Sequence, residues 1–190
     1  MRNEMQRRVY GKNFRATETE GKKRIEGYFV VFDDVYEMWP GATESIDPGA
    51  FEGQLGGDVR ALIDHESRLV LGRTTVGTLT LRVDEHGLWG EIIINENDSD
   101  AMNLWHRVER GDVSQCSFGF EILDEKKEIN EATGAVHWTV LRVKLWEVSV
   151  VTFPAYEQTA VKARKDEWAE IKRRRVEAWR EEWRQKLKWH

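Results

Sequence analysis

The sequence predicts a mostly β protein of the α+β class, with one internal helix and a charged helix at its C-terminus. Six short runs rich in aromatic and β-branched residues lie between turn signals, a pattern typical of sheet strands. Two segments, 98–110 and 165–190, change instead to helical spacing. A chain of 190 residues suits about one domain with one sizeable core.

The predicted strands lie, in chain order, at 25–32, 59–65, 76–83, 88–94, 113–123 and 138–151. Residues 84–87 join the third and fourth strands as the turn of a hairpin. We predict loops where turn or charged residues replace the apolar pattern, at 33–40, 71–75 and 125–135. Pro48-Gly49 marks a further turn, and Asp47 can cap the short helix that follows.

The internal helix has signals at both ends. Asp98 or Ser99 can serve as its N-cap, and Gly111 can end it as a C-cap. The apolar residues between them keep helical spacing and are Ala101, Leu104, Trp105 and Val108. We therefore expect this helix to bury one face.

The C-terminal helix carries a broad stripe opposite an Arg/Glu/Lys face, formed by Trp168, Ile171, Lys172, Val176, Trp179, Trp183 and Leu187. Such a stripe needs a partner surface, which can be the body of the protein, another subunit or a binding protein. The predicted organisation is a mobile N-terminal arm at 1–24, a main domain at 25–160 and this tryptophan-lined tail at 161–190.

The charge is uneven along the chain. The formal net charge is −5, but residues 162–190 hold eleven basic and six acidic side chains, so the tail is about +5 and the remainder about −10. A basic appendage on an acidic body indicates an anionic partner or, more simply, a solvated helix. We expect no nucleic-acid partner.

The composition indicates a cytosolic protein. Cys116 is the one cysteine, so no intrachain disulfide can form, which fits a reducing compartment. The first residues lack the apolar segment of a signal peptide, and no run reaches the roughly 18 apolar residues of a membrane span.

Several kinds of site are disfavoured. His65-Glu66 resembles the start of a His-Glu-x-x-His zinc motif, but Leu69 stands where the second histidine is needed. Neither glycine-rich phosphate motif is present, and there is no Gly-x-Ser-x-Gly elbow. We expect no metal and no cofactor.

A histidine, a serine and an acid remain for acyl-transfer chemistry. His65 ends an apolar face shared with Val59, Ala61 and Ile63, and Glu147 lies in the middle of an apolar strand face. Taken singly, a core histidine and a buried salt bridge explain them. Together with Ser114 or Ser117 they form the set that a serine nucleophile needs, since a base must take its proton and an acid must orient that base. Spacing alone does not decide between the two serines.

Five segments resemble one family, the prohead (procapsid maturation) proteases of tailed bacteriophages, which are related to the herpesvirus assemblins. They are Gly27-Tyr28-Phe29, 46–51, 62–65 with 71–74, 111–120 and 146–155. The resemblance implies a mostly β, barrel-like serine protease domain with flanking helices, often dimeric. It also implies action inside the assembling procapsid in the host cytoplasm, on a scaffold protein or capsid scaffolding domain and usually on the protease itself.

Carried onto this sequence, the resemblance implies His65 as general base and Glu147 as the acid that orients it. We prefer Ser114 as nucleophile, because it lies at the strand entrance, and keep Ser117 as the alternative. Arg73 or Arg110 could assist by charge.

Two other interpretations stay open. A Cys116–His65 pair would make a cysteine hydrolase, although Cys116 shares a face with Phe118 and Phe120 and is expected to be buried. A non-catalytic capsid assembly or scaffolding protein could also keep the same fold.

Overall fold

The computed structural model describes residues 5–12, 14–32, 34–153 and 158–187. Within these ranges the strands are β1 (Gln6–Lys12), β2 (Arg15–Thr19), β3 (Lys22–Val31), β4 (Tyr36–Trp39), β5 (Ala42–Ile46), β6 (Arg60–Ile63), β7 (Glu66–Arg73), β8 (Leu79–Val83), β9 (Gly87–Ile93), β10 (Gln115–Ile129) and β11 (Val136–Val151). The helices are α1 (Ser99–Arg110) and α2 (Gln158–Leu187), and short 3-10 turns lie at Pro48–Phe51 and Thr74–Val76. The predicted mostly β class with helices is confirmed.

The strands form two sheets. Five strands of the larger sheet run in the order β1-β10-β11-β5-β4, while β6 also pairs with β11 and β7 pairs with β6. The smaller sheet has the order β2-β3-β9-β8, which includes the predicted β8–β9 hairpin. These sheets are not closed into a barrel, so the barrel-like detail is not confirmed.

The long antiparallel hairpin of β10 and β11 organises the larger sheet. One edge of β11 carries two strands in parallel, β5 along Val136–Val140 and β6 along Glu147–Val150. The predicted loop at 125–135 is wrong in its first half, because β10 continues to Ile129. This end of β10 is charged and exposed, so its strand character comes from backbone pairing with β11 and leaves no apolar signature.

The main core contains side chains from both sheets and from α1, including Phe29, Ile92, Phe118 and Leu104. Helix α1 matches its prediction closely. The Asp98 carboxylate accepts hydrogen bonds from the Asp100 and Ala101 amides, and Gly111 ends the helix at φ 84°. All four apolar residues predicted for its inner face are buried.

Residues 1–24 are not simply an arm, and this prediction needs correction. Residues 1–4 lie outside the described residues, but β1 pairs with β10 and β2 pairs with β3. Strand β2 is at a sheet edge with largely exposed side chains, while β1 buries Gln6 and Arg8 through hydrogen bonds. Both strands therefore lack the apolar alternation on which the sequence analysis relied.

Two of the predicted loops also contain strand. Tyr36–Trp39 within 33–40 is the short edge strand β4, paired antiparallel with β5. At 71–75, β7 continues to Arg73 before the 3-10 turn begins. Asp47 caps its short helix as predicted, since its carboxylate accepts from the Gly49 amide at 2.8 Å.

Helix α2 packs on the body along its first part. Trp168 and Ile171 contact a small apolar cluster formed by Ala42, Val136 and Trp138. Farther along, Val176 and Trp179 are exposed, so the apolar stripe extends past this contact. The side chains of Trp183 and Leu187, also predicted for the stripe, lie outside the described part. No described helix is long and apolar enough to cross a membrane.

Candidate active site

His65 lies in a two-residue turn between β6 and β7, immediately after the strand that was predicted to contain it. Asp64 and His65 both have left-handed backbones, with φ of 47° and 61°. Asp and His are among the non-glycine residues that most often accept this conformation. The Asp64 carboxylate accepts hydrogen bonds from the Thr152 amide at 2.7 Å and its hydroxyl at 3.3 Å, which ties the turn to the end of β11.

The imidazole of His65 contacts the carboxylate of Glu147 on β11. The distance from His65 Nδ1 to Glu147 Oε1 is 2.7 Å, and the two side chains are 6% and 7% exposed. A carboxylate can only accept, so this bond assigns the proton to Nδ1 and leaves Nε2 as the acceptor nitrogen. Nε2 is buried and has no hydrogen-bond partner among the described residues.

The second oxygen of Glu147 is held by Ser149. The Ser149 hydroxyl is fully buried and donates to Oε2 at 2.6 Å. Each oxygen of the carboxylate therefore has its own donor, which fixes the plane of the group. Ser149 is two residues from Glu147 on one strand, so the period of two places both on one face, and this spacing is the signal in the sequence that could have identified it.

Gly119 makes room for this carboxylate. In the sheet, Arg7 of β1, Gly119 of β10 and Glu147 of β11 lie in one row. A Cβ atom on Gly119 would lie 2.4 Å from Glu147 Oε1, so no larger residue fits without moving the carboxylate. The side chain of Glu147 thus lies over the backbone of β10.

Ser117 belongs to the same face of the sheet. It is paired with Ser149 directly across the β10–β11 ladder, one row from Gly119 and Glu147. Residues two apart on a strand share a face, so Ser117 faces the side that carries Glu147. It is fully buried, and its hydroxyl has no hydrogen-bond partner among the described residues.

Ser114 is in a different setting. It precedes β10, which begins at Gln115, and its side chain is exposed. The structure thus brings His65, Glu147 and Ser149 into direct contact and places Ser117 on their face, while Ser114 lies outside the strand.

Cys116 lies on the opposite face of β10. It is fully buried, and its thiol donates to the Tyr28 carbonyl at 3.1 Å. This is the burial that the sequence predicted.

The two arginines considered for assistance are engaged with other acids. Arg73 donates to Asp58 at 2.6 and 2.7 Å, and Arg110 bonds Asp112. The Arg73 hydrogen bond lowers the pKa of Asp58 to about 2.

A different arginine, Arg7, approaches the site, with its Nε 4.0 Å from Glu147 Oε1. Arg7 was not predicted as a site residue, because it lies in the segment predicted as an arm. Among the described residues, no cluster of three His, Cys, Asp or Glu side chains could hold a metal.

Comparison with known proteins agrees with the resemblance. The family model described as caudovirus prohead serine protease matches residues 12–174. The prohead protease of Enterobacteria phage HK97 is 30% identical over 151 residues, which are 77% of this chain and 62% of that protein. The chain thus spans less than two thirds of that relative's length. No solved structure gave a significant match.

Proposed function

Because the chain belongs to the caudovirus prohead serine protease family, we propose that it is a serine endopeptidase in which Ser117 is the nucleophile, His65 the general base and Glu147 the acid. One observation carries the proposal. His65 and Glu147, 82 residues apart in sequence, are bonded at 2.7 Å on the sheet face that carries Ser117. That bond leaves His65 Nε2 as the acceptor nitrogen.

In the proposed reaction, the Ser117 oxygen attacks the carbonyl carbon of the scissile peptide, and its proton passes to His65 Nε2. The resulting imidazolium lies against the ionised carboxylate of Glu147, which stabilises it. The proton then moves to the leaving amine, and water hydrolyses the acyl-enzyme in a second round of the same steps. The Ser149 hydroxyl, on Oε2, keeps the carboxylate turned toward His65.

We prefer Ser117 to Ser114 as the nucleophile. A general base must come within hydrogen-bond reach of the proton that it abstracts. Ser117 is on the face of Glu147, whereas Ser114 is exposed ahead of the strand. Among the residues that the structure describes, the Ser117 hydroxyl and His65 Nε2 have no hydrogen-bond partner, and both are buried, which is unusual for groups without a role.

The proposed substrates follow from the family. A prohead protease would cut a scaffold protein or the scaffolding domain of the capsid subunit inside the procapsid in the host cytoplasm, and cut itself. We also propose a homodimer as the assembled form.

The test is co-expression with the capsid and scaffold proteins of the same phage, followed by gel analysis and mass spectrometry. Wild type is compared with Ser117→Ala, Ser114→Ala, Cys116→Ala and His65→Ala. We expect cleavage to be lost with Ser117→Ala and His65→Ala and kept with the other two. Loss with Ser114→Ala but not Ser117→Ala would reassign the nucleophile. Loss with Cys116→Ala but neither serine change would indicate a cysteine hydrolase, and no cleavage by wild type would favour a non-catalytic assembly protein.

A further inference from the structure

Strand β1 brings a cation to the carboxylate of Glu147. Arg7 and Glu147 are separated by one strand position, which Gly119 occupies without a side chain. The two side chains can therefore meet above β10, and Arg7 Nε lies 4.0 Å from Glu147 Oε1. This is the oxygen that His65 Nδ1 also contacts.

Glu147 needs such a cation. It is 5% exposed, and an ionised carboxylate at that depth is costly unless charge and hydrogen bonds compensate it. Ser149 supplies a hydrogen bond to this carboxylate but no charge. Among the described residues, Arg7 is the permanently charged group within 4.0 Å of this carboxylate.

The backbone at Arg7 is anchored by its neighbour, Arg8. Side chains alternate along a strand, so Arg8 faces the other side of the sheet. There it bonds the fully buried Glu44 at 2.6 and 3.2 Å, and Arg164 of α2 bonds the same carboxylate at 3.2 Å. Burial alone would raise the pKa of Glu44, but the two guanidinium groups outweigh it and lower the pKa. Glu44 is thus ionised, and this charged network holds β1 in place.

We propose that Arg7 is a positioning residue of the triad, whose guanidinium charge, 4.0 Å from Oε1, favours the orientation of the Glu147 carboxylate toward His65. This inference rests on the proposed function, because it concerns how the acid supports the base. Arg7 acts through Glu147, and its removal should slow the chemical step without weakening the binding of a reagent.

The experiment measures inactivation by an alkyl fluorophosphonate, followed by intact-mass spectrometry of the full chain. In this reaction the Ser117 oxygen forms a bond to phosphorus, fluoride leaves, and the hydroxyl proton passes to His65. The limiting rate, kinact, reports the chemical step, while the half-saturating concentration, KI, reports binding. Wild type is compared with Arg7→Met, Arg7→Gln and Arg7→Lys.

We expect kinact to fall about tenfold in Arg7→Met and Arg7→Gln, equivalent to roughly 1.4 kcal/mol, with KI unchanged. Arg7→Lys should recover part of the rate because it restores the charge. The matched control is Arg15→Met, which removes an arginine that is 71% exposed and bonded to Glu26 on the smaller sheet. Its kinact should equal that of wild type.

The experiment distinguishes failure of the proposed role of Arg7 from failure of the proposed function. If wild type is labelled at Ser117 and a folded Arg7→Met or Arg7→Gln variant reacts at the same rate, the role of Arg7 is refuted and the proposed function stands. If wild type is not labelled, or Ser117→Ala is labelled equally, the proposed function is refuted and the role of Arg7 falls with it. A rise in KI with unchanged kinact would also overturn the positioning role.

Discussion

Replacing Gly119 with alanine puts a methyl group where the carboxylate of Glu147 lies. The new Cβ would be 2.4 Å from Oε1 and 3.0 Å from Cδ and Cγ. Ordinary contact begins near 3.4 Å, so the carboxylate must retreat by about 1 Å. A retreat of that size stretches the 2.7 Å bond from His65 to about 3.7 Å, beyond hydrogen-bond range.

The expected effect on rate is large and the effect on folding moderate. Misplacement by about 1 Å costs about 10²-fold in an enzyme reaction, or roughly 2.7 kcal/mol in the barrier. Overpacking destabilises by about 1–3 kcal/mol. Alanine also lowers the conformational entropy of the unfolded chain relative to glycine, which offsets about 0.4–1 kcal/mol of this destabilisation. We therefore expect the Gly119→Ala variant to fold, and to cleave its substrate about 10²-fold more slowly than wild type.

The assay follows cleavage of the proposed substrate, a scaffold protein or capsid scaffolding domain of the same phage, by the purified chain, with urea unfolding measured in parallel. Gly56→Ala is the matched control, because a Cβ there meets nothing within 4 Å and the backbone is not left-handed. Its cleavage rate should equal that of wild type. If Gly119→Ala cleaves at the wild-type rate while folded, the placement of Glu147 over Gly119 has no role in catalysis and the reasoning is refuted.

Two further predictions concern Ser149 and Asp58. Ser149→Ala removes the donor to Glu147 Oε2 and should slow cleavage about tenfold while costing about 1–3 kcal/mol of stability; Ser114→Ala is its exposed control, and equal rates in both variants would contradict a role for Ser149. Asp58→Asn tests a pH dependence. The hydrogen bond from Arg73 lowers the pKa of Asp58 from 3.8 to about 2, so the carboxylate stabilises the fold above pH 4 and this contribution is lost as pH falls toward 2. Between pH 4 and pH 2, the urea midpoint of the variant should change less than that of wild type. An equal change in both proteins would refute the stabilising pair of Arg73 and Asp58.

Local signals predicted some elements well. Helix α1 was predictable from end to end, because its caps, Asp98 and Gly111, and its apolar spacing all agree within one short segment. Strand β1 and the outer half of β10 were not predictable in this way. Their residues are polar, and their structure depends on backbone pairing with strands far away in sequence.

In the site, too, single residues could be predicted from the sequence, but the contacts between them could not. His65 and Glu147 stand out singly, as polar residues beside apolar stretches, but their contact spans 82 residues and needs β6 to pair with β11. The choice between Ser114 and Ser117 depends on the register of β10 against β11, and sequence spacing does not encode this register. The empty position above Gly119 likewise appears only when three strands are aligned.

The turn that holds His65 has a consequence for how the family can evolve. A two-residue hairpin with two left-handed positions is most stable with Asn-Gly, whereas a non-glycine residue in such a conformation costs about 1–3 kcal/mol. The proposed role of His65 as general base therefore requires a histidine where folding alone would favour glycine. A variant that does not need the proposed chemistry would gain stability from glycine at this position. At this hairpin, the proposed activity and the folding stability of the protein therefore favour different residues.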